Sequence, residues 1–145
     1  MTSLKDLNRI FIAWSFFYLA VLIIHFAIRK VFFESYTQQY GWWVYLLGVP
    51  AATVALLMFK GGMTWSYSVG GLLCLAFSAF GYYIDYILAV PWRNPINPPL
   101  AIPYVTLYLG TIMFYWFPFG MINRRLWYVY GVMFALSTFL NIASH

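Results

Sequence analysis

Acidic side chains are nearly missing from this sequence, with three Asp and Glu against eight Lys and Arg in 145 residues. Charged residues total 8%, where ordinary globular domains carry about 25%. So few charges cannot cover the surface of a water-soluble fold of this length, which excludes a soluble domain. The lone cysteine, Cys74, rules out an intrachain disulfide and any multi-cysteine metal or iron–sulfur site. The two histidines, His25 and His145, form no metal-binding helix motif, and neither a Ser–His–Asp spacing nor a carboxylate pair stands out. The bases are scattered between apolar runs rather than clustered on one face, which excludes a nucleic-acid surface. Alternating barrel patterning, internal repeats and low-complexity tracts are absent as well.

What fills the sequence instead is hydrophobic: 64% of residues, with aromatics at 23%. A membrane-crossing helix needs roughly 20 apolar residues, with about 17–25 tolerated. The runs predict an all-α integral membrane protein, one domain of about five transmembrane helices (four as the alternative count), at about 10–28, 42–59, 65–90, 100–117 and 126–144. Trp and Tyr crowd the edges of these runs, where amphipathic rings settle at a membrane–water interface. The first run is long and is followed by bases, so it is expected to be a retained span rather than a cleaved signal.

Between the runs the punctuation is sharp. The pattern after Arg29 and Lys30 can stay helical to about Gln38, with Lys30 and Glu34 one turn apart, until Gly41 breaks it. Pro50 is expected to kink the second span, since its ring crowds the carbonyl of Leu46. The third run exceeds the bilayer requirement and should tilt or protrude. The sequence PWRNPINPPLAIP, from Pro91 to Pro103, predicts a non-helical cap over one end of the bundle. The fourth span should stop near Pro118.

Polar residues within apolar runs are costly and face protein or water, so their helical phase is informative. Gly70, Cys74, Ser78, Gly81 and Asp85 fall within about 80° of one another. Small residues at that spacing predict a close-packed helix seam. Tyr104, Tyr108, Thr111 and Tyr115 share one face of the fourth span, Tyr130, Phe134, Ser137 and Asn141 one face of the fifth, and Tyr18, Leu22, His25 and Arg29 one face of the first. Taken one at a time, such stripes make ordinary interhelical hydrogen bonds.

Alternating span directions bring His25, Arg29, Asp85, Arg93, Asn141 and His145 to one membrane face, with Tyr104 and Tyr108 starting the fourth span there. Lys5, Arg9, Lys60, Arg124 and Arg125 lie toward the opposite face, against Arg29, Lys30 and Arg93 on this one. That bias predicts a cytoplasmic N-terminus and an external C-terminus. The expected site is a polar pocket near the external face, using His25, Arg29, Asp85, Arg93, Tyr104, Tyr108, Thr111 and Asn141. The competing structural reading is that Asp85 only anchors the fold by pairing with Arg93 or Arg29.

The function expected of such a chain is binding of an apolar or lipid-like molecule, or service as an accessory subunit. Its partners would be the bilayer, an apolar small molecule, and a second copy or a larger membrane complex, with no nucleic acid. A small membrane enzyme or an oligomeric transporter using the same pocket is the runner-up. No catalytic residue can be named, and the balance leans away from an enzyme. Haem held by His25 and His145 is set aside, because His145 is the terminal residue. Compactness suggests a bacterial or archaeal plasma membrane. The span count and the tryptophans resemble the translocator-type tryptophan-rich sensory proteins in outline. The segment after the first span reads RKVFFESYTQQYG, without that family's Pro- and Trp-rich loop, so no functional residues carry over.

Overall fold

Ser3 starts the first helix: its hydroxyl accepts the backbone N–H of Asp6 at 3.2 Å and so satisfies one of the four free donors of the first turn. Helix α1 then runs Leu4–Gln39. The computed structural model describes residues 2–144, apart from the side chains of residues 33–35. The expected Lys30–Glu34 pair and every reading that uses His145 lie outside the described residues.

Among the described residues, five helical stretches are long and apolar enough to cross a membrane: Leu4–Phe32, Gly41–Lys60, Ser66–Ile87, Pro98–Ile122 and Arg124–Ala143. No β-strand occurs among the described residues. Helix α1 continues past Arg29 and Lys30 and breaks direction at Phe32, where φ is −120° and ψ 31°. Beyond that bend, Tyr36 to Gln39 lean over the end of the bundle, and Tyr86 donates to the carbonyl of Thr37 at 2.5 Å.

Pro50 does not kink a continuous α-helix, contrary to the sequence expectation. Gly41–Leu47 forms a 3₁₀ helix, and α2 starts only at Gly48 and runs to Lys60. Pro50 is therefore the third residue of α2, in the first turn, where a missing N–H costs no intrahelical bond. The turn after α2 passes through Gly62 at φ +73°. A side chain there meets no neighbour, so Gly62→Ala tests backbone conformation alone. It should cost about 1 kcal/mol, read as a lower melting temperature in detergent with spectra unchanged.

Helix α3 spans Ser66–Tyr82 and passes into a π turn over Tyr83–Ile87, closed by the N–H of Leu88 on the carbonyl of Tyr83 at 2.8 Å. Leu88 to Asn97 is the non-helical cap, with a cis Asn94–Pro95 bond and Ala89 at φ 51°. The cap is shorter than the proline spacing suggested. Helix α4 is already helical at Pro98 and runs to Trp116. Pro98 and Pro99 occupy the first two helical positions, where proline fits, and Pro103 is carried inside the helix. A short α5, Phe119–Ile122, leads to α6, Arg124–Ala143, whose start is capped by the Asn123 side chain accepting from the N–H of Arg125 at 2.8 Å.

Helix α3 packs between α2 and α4, while α1 lies against α6 and the 3₁₀ helix. Phe11 near the start of α1 packs against the rings of Tyr67 and Phe119, whereas Arg29 reaches Asn141 at the end of α6. The helices thus alternate in direction, and the cap covers the end that holds Arg29 and Asp85. The small-residue stripe is a seam, but it serves two neighbours. Gly70 lies against Tyr115 of α4, while Ser78 meets Gly48 and Gly81 meets Tyr45 on the second stretch. Adjacent to the stripe, Gly71 makes the closest backbone approach, to Ala51 and Ala55 of α2. In lipid such contacts hold helices together by van der Waals packing, because tails are as apolar as the side chains.

Candidate functional site under the proline-rich cap

Asp85 sits in the π turn, and four donors converge on its carboxylate. The Tyr45 hydroxyl donates to Oδ2 at 2.5 Å and Trp92 Nε1 to Oδ1 at 2.8 Å. Arg93 adds a two-pronged pair, Nη1 to Oδ1 at 2.5 Å and Nη2 to Oδ2 at 2.8 Å. Both side chains are largely hidden, at 12% exposure for Arg93 and 6% for Asp85. Burial alone would lower the pKa of Arg93, but the hydrogen-bonded Asp85 carboxylate outweighs it and holds that pKa above its ordinary value. The guanidinium also lies over the Trp92 ring at 4.1 Å and faces Tyr104 at 5.4 Å, a cation–π arrangement that fixes its plane.

This pair forms one side of a cavity of about 420 Å³. The bent end of α1 supplies Thr37 and Gln38, the π turn supplies Tyr86, and the cap supplies Ala89 to Asn94. Two buried polar atoms on its lining residues, Arg93 Nε and Thr37 Oγ1, have no hydrogen-bond partner among the described residues. A second hollow of about 260 Å³ is an apolar groove between the second and third stretches, along Tyr45, Leu46, Val49, Leu75 and Tyr82.

The other residues singled out by sequence fall into separate clusters. Arg29 donates from Nη2 to Asn141 Oδ1 at 2.6 Å and from Nε to Ser144 at 2.8 Å, tying α1 to the end of α6. The alternative pairing of Asp85 with Arg29 is therefore not the one formed. His25 Nδ1 shares a hydrogen bond of 2.9 Å with the Tyr36 hydroxyl, which also accepts Trp43 Nε1 at 2.7 Å. That set clamps the bent end of α1 to the 3₁₀ helix. Tyr108 bonds Ser137 of α6 at 2.6 Å, and Thr111 turns back to the carbonyl of Leu107 at 2.7 Å. Tyr104 packs at a tilt against Phe77 and Trp92, with ring centroids 5.0 and 4.7 Å away.

Of the eight residues expected at the site, only Asp85 and Arg93 line the cavity. The stripes of the first, fourth and fifth spans are inward faces that make interhelical bonds. Sequence reasoning missed Thr37, Tyr45, Tyr86 and Trp92. Trp92 was discoverable, as the neighbour of Arg93 in the cap. Thr37 was not, because its position depends on the bend at Phe32. Comparison with protein-family models, with curated proteins and with solved structures finds no match to this chain.

Proposed function

We propose that the chain is an integral membrane protein that binds an apolar, lipid-like molecule in the cavity under its proline-rich cap. The observation that carries this reading is the cavity itself. Its volume of about 420 Å³ lies in the ordinary range for small-molecule sites, roughly 300–1,000 Å³. Its walls combine apolar Ala89, Val90 and Pro91 with the Asp85–Arg93 pair and polar Thr37, Gln38 and Asn94. Few, placed polar groups on an otherwise apolar wall are the usual composition of a ligand site. The five apolar helices support insertion, and the excess of bases toward the N-terminal end favours placing the cap on the external side.

Native mass spectrometry of the protein released from membranes in a mild detergent tests the reading. A chain or homo-oligomer carrying a defined extra mass, of an apolar molecule, is the expected result. A bare chain, or stoichiometric foreign subunits with no small adduct, overturns it in favour of structural packing or an accessory role.

A further inference from the structure

Of the three bases at the capped end, two are engaged inside the protein. Arg29 is buried and donates to Asn141 and Ser144, and Arg93 is held by Asp85. Lys30 is the one exposed base there among the described residues. At the opposite end all five bases are exposed: Lys5, Arg9, Lys60, Arg124 and Arg125. A bias of five to three in the sequence thus becomes five to one in charge that a partner can reach. We infer that this uncapped end is a docking surface for the anionic phospholipid headgroups of one leaflet. The inference rests on the membrane insertion proposed above and not on the cavity.

The five bases come from three helix ends that the fold gathers at one level. A side chain at Gly61, just after Lys60, would strike Leu7, so the end of α2 lies on the start of α1 between Lys5 and Arg9. Phe119, at the start of α5, packs against Phe11 and Phe16 of α1 with ring centroids 5.8 and 5.3 Å away. Asn123 then caps α6 immediately before Arg124 and Arg125. One acid, Asp6, shares this face, with an oxygen 3.7 Å from Arg9 and both side chains more than half exposed. An exposed pair at that distance is weak, so Arg9 stays open to another anion.

Lipid is favoured over an acidic protein by what stands beside the bases. Phe59, Trp65, Phe117 and Tyr128, at the ends of α2, α3, α4 and α6 on this side, are each more than half exposed. Large rings in that position call for the hydrocarbon boundary, which sets the bases at the depth of the lipid phosphates. Arg124 Nη2 lies 3.3 Å from the Tyr128 hydroxyl and its guanidinium 5.8 Å over that ring, so this base is held at the ring's level. The link from α2 to α3 covers only residues 61–65, too short to raise a platform for a soluble partner. Near an anionic leaflet each such base strengthens binding about fivefold.

The full-length chain in an uncharged detergent is offered equal amounts of dioleoyl phosphatidylglycerol and dioleoyl phosphatidylcholine, and retained lipid is counted by native mass spectrometry. The tails are identical, so a preference reads the headgroup. The anionic lipid should be retained about tenfold better or more at low salt. That preference should shrink as the screening length falls from about 10 Å at about 0.1 M salt to about 3 Å at about 1 M. Lys5→Gln with Lys60→Gln, and Arg124→Gln with Arg125→Gln, should each weaken the retention about 5–30-fold, the worth of one to two bases. Lys30→Gln should leave it unchanged. All five residues are exposed, and melting temperatures check that the variants fold. Equal retention of the two lipids, or a preference that survives both double variants or falls with Lys30→Gln, overturns the inference. So does tight binding of poly-glutamate without a lipid preference, which assigns the face to an acidic polypeptide. Alkaline carbonate extraction of membranes separates the readings: a resistant chain with no headgroup preference loses this inference alone, whereas an extractable one loses membrane insertion itself.

Discussion

Asp85→Ala lowers the unfolding free energy by about 3–5 kcal/mol, the range for breaking a buried ion pair from one side. The substitution strips the acceptor from Tyr45, Trp92 and both Nη atoms of Arg93 together, and leaves a guanidinium buried without its counter-charge. The size of the loss alone does not identify the cause, but a second variant does. Asp85→Ala combined with Arg93→Met removes both charges and keeps an apolar stem against Trp92 and Tyr104, so it should recover much of the loss. Equilibrium unfolding of the three proteins in the same detergent measures the cycle. If the double variant is as unstable as the sum of two singles, the pair is not what holds the cap down.

The second large effect is expected away from the site, at the seam between α2 and α3. A methyl group on Gly71 would stand 2.5 Å from the Ala51 carbonyl oxygen and 2.7 Å from the Ala55 Cβ. Neither can swing aside, since one is backbone and the other is attached directly to it. Gly71→Ala must therefore push two helices apart, at a cost of about 1–3 kcal/mol. Gly120→Ala is the control: its new methyl meets only the Trp127 ring, Cδ1 at 3.4 Å and Nε1 at 3.7 Å, ordinary contacts. A lowered melting temperature for Gly71→Ala beside an unchanged one for Gly120→Ala is the expected pattern. Equal effects would mean that helix propensity, and not the close approach, sets the response.

What the sequence made legible was whatever depends on apolar length and helical phase. The five stretches follow from runs long and apolar enough to cross a bilayer, and each polar stripe turned out to face inward. Tyr18, Leu22, His25 and Arg29 are all buried, as are Tyr104, Tyr108, Thr111 and Tyr115. Pairing across the bundle was less accessible, because phase tells which way a residue faces and not what it meets. Asp85 had two basic candidates, and only the path of the cap decides for Arg93. The His25 cluster lies apart from the cavity for a related reason. Tyr36 and Trp43 intercept His25 once α1 bends at Phe32, and neither Gly nor Pro marks that bend in the sequence. Gly71 escaped notice because a wheel drawn through Gly70 and Cys74 points at the interior and ignores the flank on α2.

The π turn at Tyr83–Ile87 has a consequence for kinship. Its i→i+5 closure amounts to an α-helix with one residue inserted, so residues beyond it are rotated by roughly 100° from where an unbroken helix would set them. A relative that lost the insertion would need its acid one position along to meet the same arginine. Shared ancestry would then show itself as a single-residue gap beside a displaced aspartate, and not as two acids in one column.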